Sequence, residues 1–129
     1  YIYKKAVSGN DKRSSICHAA MILSNDLSIQ TIVIMTESGQ TAIKMAQHRP
    51  KAQIYALCSH KHVFQMLSLI WGITPVLVDS FKSTDEMILS SGKILKDNSY
   101  LKAGDKYIII AGAPVGVTGT TNMIKIHVV

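Results

Sequence analysis

Two short stretches of this chain combine glycine with hydroxyl and amide side chains, which together can hold a small anion through directed hydrogen bonds. The first, Thr36-Glu37-Ser38-Gly39-Gln40-Thr41, separates an apolar run from a helical pattern. Open α/β sheets bind ligands where a strand ends and a helix begins, and the unpaired N–H groups of the helix favour a phosphate there. We therefore expect phosphate binding by Thr36, Ser38, Gly39, Gln40 and Thr41.

The same stretch also has a purely structural explanation. Ser38 is a residue type that caps helices, and it stands just before the helical pattern that begins at Gln40. The stretch lacks the Gly-x-x-x-x-Gly-Lys-Ser/Thr pattern, and no lysine follows Gly39, so ATP binding through it is not indicated. Spacing alone leaves phosphate binding and plain helix capping both open.

The second stretch, residues 112–122, joins two apolar strand patterns near the end of the chain. Its glycines allow backbone N–H groups to approach a ligand, and its threonines and asparagine add hydrogen-bonding groups. The alternative is a conformationally demanding connection in which the glycines serve turns and the asparagine fixes the backbone. The candidate ligand-binding residues are Gly112, Gly116, Thr118, Gly119, Thr120 and Asn122.

Strand-like and helix-like patterns alternate along the chain, which predicts an α/β fold of three layers, helix–sheet–helix. We expect a mostly parallel five-stranded sheet whose last strand is antiparallel, because a loop of roughly ten residues is too short for a parallel crossover. Ser83 or Thr84 can cap the fourth helix, inside which Gly92 is a weak point, and Gly72 can end the third. The predicted helices are residues 11–27, 40–48, 60–71 and 85–98, and the predicted strands are 30–36, 53–59, 74–78, 107–111 and 123–129.

Composition indicates one compact domain. The 129 residues are 47% hydrophobic and 17% charged, and no apolar run approaches the length of about 20 residues that a membrane helix needs. We expect residues 1–10 to be an arm or linker remnant and residues 11–129 to be the domain. The chain begins with Tyr1 rather than methionine, so we expect a piece of a longer or processed chain. Cys17 and Cys58 stand alone, which is typical of small buried side chains in a reducing cytoplasm.

Other kinds of site find little support. The formal charge of +6 makes nucleic-acid binding a candidate function. However, no basic run exceeds two residues and aromatic content is 6%, which does not support it. His60 and His62 would point about 200° apart on a helix, so a shared metal ion is not expected. No Ser-His-Asp or Cys-His arrangement is evident, and no metal ligands are assigned. Trp71 is interpreted as a core or interface anchor.

Four blocks in register resemble the C-terminal domain of pyruvate kinases, over residues 11–129. They include Trp71-Gly72-Ile73-Thr74-Pro75 and the C-terminal segment, residues 102–129, which ends in a Lys-x-x-x-Val pattern. The other two blocks lie at residues 36–42 and 49–54. The resemblance implies a parent enzyme that transfers phosphate from phosphoenolpyruvate to ADP in glycolysis. It also implies that magnesium and potassium act in a catalytic barrel with no counterpart here, that this fragment does no catalysis, and that the domain takes part in homotetramer assembly.

The resemblance also bears on both stretches, because the matching loops bind phosphorylated allosteric effectors in regulated pyruvate kinases. This chain departs from the forms regulated by fructose bisphosphate: neither stretch carries Arg or Lys, and residues 78–85 hold no Trp or Arg. A second phosphate would thus lack charge compensation. A sugar monophosphate, a nucleotide monophosphate, sulfate or no effector is expected. The alternative function is a free-standing module that binds phosphorylated metabolites.

Overall fold

The computed structural model describes residues 12–112 and 121–129, which form four helices and five strands. The elements follow one another as helix and strand until the last two strands. They are α1 (Lys12–Leu27), β1 (Thr31–Met35), α2 (Gln40–Gln47), β2 (Gln53–Cys58), α3 (Lys61–Leu67), β3 (Ile73–Leu77), α4 (Thr84–Asp97), β4 (Lys106–Gly112) and β5 (Thr121–Val128).

The strands form one sheet in the order β3-β2-β1-β4-β5. The first four strands are parallel, and β5 runs antiparallel to β4, with Ile108 opposite Ile126. The apolar runs of β1, β2 and β4 arise because both faces of these strands are buried. The predicted fold class is confirmed.

Each face of the sheet carries its own hydrophobic core. Side chains from α1, α2 and α3 pack with Ile32, Ile34 and Ile110 on one face. The opposite face is covered by α4, which packs on Val33 and Ile109. Alternate residues of one strand therefore contact different helices, and the result is the predicted three-layer arrangement.

The third helix is shorter than its pattern predicted. It ends at Leu67, after which Leu69 and Ile70 each donate a backbone hydrogen bond to the residue three positions earlier. Gly72 turns the chain with φ +88°, but it lies five residues after Leu67, so it does not end the helix as predicted. Trp71 therefore lies on the surface, 87% exposed, and the interpretation as a core residue is wrong.

The helical spacing assumed for His60 and His62 is not observed. His60 precedes α3 in an extended conformation, with φ −111° and ψ 126°, so helical spacing does not relate the two side chains. Their ring centroids lie 5.6 Å apart. Within the described residues, no three His, Cys, Asp or Glu side chains converge in a way that would hold a metal ion.

The capping residue of α4 and the glycine inside it could be predicted from residue types, but the packing function of that glycine could not. Ser83 caps the helix by accepting a hydrogen bond from the Glu86 backbone N–H, with an N–O distance of 3.1 Å. Gly92 has a function beyond weakening the helix, because a Cβ there would lie 3.1 Å from Tyr107 Oη. That oxygen is 2.8 Å from Ser91 Oγ in a buried hydrogen bond. The glycine thus makes room for the Tyr107 hydroxyl.

Both cysteines are buried and neither forms a disulfide within the described residues, and burial raises the pKa of the Cys58 thiol. None of the helices in the described ranges has the length and apolar character needed to cross a membrane.

His48 makes stability depend on pH. Burial, and then the charges of His18 and Lys44, lower the pKa of His48 below its ordinary value of 6.5. Unfolded His48 therefore binds its proton at a higher pH than folded His48, so stability is full above pH 6.5 and falls as pH drops toward the folded pKa.

We expect His48→Gln to reduce the loss of melting temperature between about pH 7.5 and about pH 5.5, because glutamine does not titrate in this range. His62→Gln, at an exposed position, is the matched control and should keep the original loss. Equal losses in all three proteins would contradict this role of His48.

Candidate functional site

The first stretch forms the connection between β1 and α2 at the carboxyl edge of the sheet. Thr36 continues the hydrogen bonding of β1, because its N–H donates to the Leu57 carbonyl at 3.1 Å. Its hydroxyl accepts a hydrogen bond from the Gly39 N–H at 2.7 Å. Gly39 has φ +89°, a conformation that favours glycine. These bonds fix the course of residues 36–39, which we call the β1–α2 loop.

The start of α2 lacks a strong side-chain cap. Gly39 occupies the N-cap position, and its neighbour Ser38 is 3.5 Å from the Gln40 nitrogen, at the limit of a hydrogen bond. Plain helix capping by Ser38 therefore does not account for the start of α2. Thr41, also a predicted phosphate contact, is buried with 4% of its surface exposed. The backbone N–H groups at this helix start have the direction that anion sites use.

Gly39 contacts protein on the side where a side chain would project. A Cβ there would lie 2.6 Å from Met66 Cε, 3.3 Å from Leu67 Cδ2 and 3.4 Å from Val63 Cγ1. The glycine therefore allows α3 to pack closely against the start of α2, in addition to adopting the positive φ of the loop.

An ion pair that sequence reasoning missed joins the β1–α2 loop to the start of α3. Glu37 Oε2 lies 3.0 Å from His60 Nε2, and the two side chains are 30% and 50% exposed. A pair this accessible contributes little to stability, at most about 1 kcal/mol. Its importance for a ligand is electrostatic, because the Glu37 carboxylate repels an anion.

A cleft of about 1000 Å³ lies beside this pair, at the carboxyl ends of β2 and β3. Ser59 and Lys61 line it from one side, Asp79 and Phe81 from another, and Lys93 from α4. Lys61 and Lys93 are positive charges that neither predicted loop contains. No sequence signal could have identified them, because Lys61 and Lys93 belong to different helices that only the fold brings to one cleft.

The second stretch begins beside the first. β1 and β4 are parallel neighbours with Ile34 opposite Ile110, so Thr36 and Gly112 follow at the same edge and at the same level. Gly112 ends β4 next to an irregularity of the strand pairing, and Asn122 lies within β5. The other candidates of this stretch, Gly116, Thr118, Gly119 and Thr120, lie outside the described residues.

Comparison with known proteins identifies similar sequences over nearly the whole chain. The profile of the family described as "Pyruvate kinase, alpha/beta domain" matches residues 14–127. The pyruvate kinase of Lactobacillus delbrueckii subsp. bulgaricus is 34% identical over 121 residues, which are 94% of this chain and 20% of that protein. The pyruvate kinase of Clostridium acetobutylicum is 36% identical over 124 residues, or 94% of this chain and 26% of that protein.

A third relative is the pyruvate kinase of Staphylococcus aureus strain USA300, which is 37% identical over 115 residues. These residues are 89% of this chain and 19% of the relative. The chain therefore spans only about a fifth to a quarter of the length of these relatives.

Proposed function

The chain belongs to the pyruvate kinase family, as its C-terminal α/β domain, and from this we propose that it regulates and assembles a longer cytoplasmic enzyme. In this proposal, the remainder of the polypeptide is a catalytic barrel that transfers phosphate from phosphoenolpyruvate to ADP. The domain itself does no catalysis. The observation that carries the proposal is the family match over residues 14–127.

We assign magnesium and potassium to the barrel. Within residues 12–112 and 121–129, no three His, Cys, Asp or Glu side chains come together. What the domain offers is a helix start at the carboxyl edge, which suits an anion and not a cation.

The ligand proposed for the β1–α2 loop is a sugar monophosphate or a nucleotide monophosphate. The support is the helix start of α2 without a strong side-chain cap, and the second stretch starting beside it. Glu37 adds a negative charge to the loop, so a ligand with one phosphate is repelled less than one with two. Ser38 offers a hydroxyl donor to this ligand, and Thr36, whose Oγ1 accepts from the Gly39 N–H, still has its own O–H to donate.

An activity assay tests the assignment to a larger enzyme. The full-length gene product that contains this chain should form ATP from phosphoenolpyruvate and ADP in the presence of magnesium and potassium. The 129-residue chain alone should form none. Activity of the chain alone would refute the proposal, and a full-length product without a barrel would favour the free-standing metabolite-binding module.

The sheet has two edges, and they differ in their ability to pair with another subunit. The β3 edge contains Pro75, which has no N–H to donate. At the other edge, Val129 donates its N–H to Asp105, on the β4 side. Because backbone groups alternate in direction along a strand, the Ile126 N–H points away from β4. We propose that β5 pairs with a second subunit, as part of tetramer assembly.

In Ile126→Pro, the assembly of the full-length protein should contain fewer subunits, and its mass should be lower accordingly. Proline removes an outward-pointing donor and leaves the bonds between β4 and β5 in place. Ile126→Val keeps the N–H and is the control that should assemble normally. Light scattering after size-exclusion chromatography measures the mass, and an unchanged assembly in Ile126→Pro would exclude pairing through β5.

A further inference from the structure

Met66, on the last turn of α3, contacts the β1–α2 loop through its terminal methyl group. A Cβ at Gly39 would lie 2.6 Å from Met66 Cε, so this methyl group fills the space into which a side chain at position 39 would project. Gly39 is buried, and the buried side chains of Val63 and Leu67 line the same space. Because Met66 is 38% exposed, its side chain forms the solvent side of this contact.

Its exposure distinguishes Met66 from the other methionines of the chain. All six methionines lie within the described residues, and two of them, Met45 and Met87, are fully buried. The three others are partly buried, namely Met21, Met35 and Met123. Oxidation of a methionine requires access to its sulfur, so an oxidant in the solvent reaches Met66 first.

Oxidation of Met66 changes the polarity of the group that covers Gly39. A peroxide transfers one oxygen atom to Met66 Sγ: the S–O bond forms, the O–O bond breaks and the sulfur is oxidised. With hydrogen peroxide, the other oxygen atom leaves as water. The product is a polar sulfoxide, which reductases convert back to the thioether. A sulfoxide held against Gly39, Val63 and Leu67 loses hydration without gaining a hydrogen bond from these side chains, so the oxidised side chain turns toward water.

The backbone of α3 stays in place when the Met66 side chain leaves. Leu67 is fully buried in the core, and the Leu69 N–H donates to the Met66 carbonyl. The polar link between this part of the chain and the β1–α2 loop is the pair of Glu37 with His60, whose exposure makes its contribution small. Closure of the loop over Gly39 therefore depends on the apolar contact with Met66.

We propose that Met66 is an oxidation site through which peroxides control the β1–α2 loop. Formation of the sulfoxide withdraws the methyl group from Gly39, admits water to the buried side of the loop and loosens the start of α2. Reduction of the sulfoxide restores the contact. One consequence rests on the proposed function: a phosphate bound by this loop is held more weakly after oxidation, because binding then has to order the loop as well.

Treatment of the folded 129-residue chain with hydrogen peroxide, followed by peptide mass spectrometry, tests the site. Met66 should be oxidised before Met21 and about tenfold faster than Met45. Hydrogen exchange of the oxidised chain then tests the loop. Exchange of the Gly39 N–H, which donates to Thr36 Oγ1, should become about fivefold faster. Equal oxidation rates of Met66 and Met45, or unchanged exchange at Gly39 after Met66 is oxidised, would overturn the proposal.

Three variants assign the change in exchange to one side chain. Met66→Leu keeps an apolar contact and has no sulfur, so peroxide should leave the Gly39 exchange rate unchanged. Met21→Leu is the matched control on α1 and should respond to peroxide as the native chain does. Met66→Gln places a polar group over Gly39 without any oxidant and should already show the faster exchange. A peroxide response in Met66→Leu, or native exchange in Met66→Gln, would contradict the role of Met66.

Melting with ribose 5-phosphate separates this inference from the proposed function. The ligand should raise the melting temperature of the unoxidised chain more than that of the oxidised chain. An equal rise in both would overturn control by Met66. If the unoxidised chain shows no rise while Gly39 exchange still responds to peroxide, phosphate binding by the loop fails and the oxidation site stands.

Discussion

Gly92→Val should destabilise the fold by about 3 kcal/mol, from overpacking and the loss of a buried hydrogen bond. Even a Cβ at this position lies 3.1 Å from Tyr107 Oη, and the valine methyl groups would extend further. Tyr107 is fully buried in β4, so its ring cannot move into solvent. The valine therefore separates Tyr107 from Ser91 or pushes α4 away from the sheet.

Alanine at the same position distinguishes crowding from helix propensity. In a Tyr107→Phe background the nearest ring carbon is 3.9 Å from the new Cβ, so Gly92→Ala should stabilise by about 1 kcal/mol through its better helix propensity. In the native background, crowding of the hydroxyl should cancel that gain. Urea unfolding of the four proteins measures the difference, and the same effect in both backgrounds would contradict a role for the Tyr107 hydroxyl.

Gly39→Ala should cost about 2 kcal/mol, half from the positive φ and half from packing. Met66 Cε lies at the end of a flexible side chain and can move, but Leu67 and Val63 are buried and cannot. The alanine therefore disturbs the contact between α3 and the start of α2.

Gly104→Ala separates the two contributions. Gly104 has φ +91°, nearly that of Gly39, and nothing lies within 4 Å of a Cβ there. Its substitution should cost about 1 kcal/mol, the conformational part alone. Equal costs at both positions, measured by urea unfolding, would show that α3 does not pack against the β1–α2 loop as described.

Much of the fold could be predicted because its determinants are local. Apolar runs such as Ile32-Val33-Ile34 identify strands buried on both faces, and the short connection before β5 requires an antiparallel strand. The end of α3 could not be predicted, because Leu67, Leu69 and Ile70 continue a helical pattern, whereas the chain leaves the helix through backbone bonds to residues three positions earlier.

The position of the candidate site could be predicted from the sequence, but the charged side chains around it could not. The β1–α2 loop could be located because strand, glycine and helix start follow one another in sequence. Glu37 and His60 are 23 positions apart, and only the parallel pairing of β1 and β2 brings their ends together. Lys61 and Lys93 both line the cleft, although they lie on α3 and α4, on opposite faces of the sheet, and are distant in sequence.

The measurement that tests the effector proposal most directly is a melting screen of the chain with ribose 5-phosphate, glucose 6-phosphate, AMP, fructose 1,6-bisphosphate and sulfate. A ligand that binds the folded state raises the melting temperature by mass action. We expect a monophosphate to give the largest rise, Ser38→Ala to abolish it, and Glu37→Gln to increase it by removing a repelling charge. Phosphate binding by the β1–α2 loop would be contradicted if no phosphate raised the melting temperature of a folded sample, or if the rise persisted in Ser38→Ala. The domain would then serve only in assembly of the enzyme.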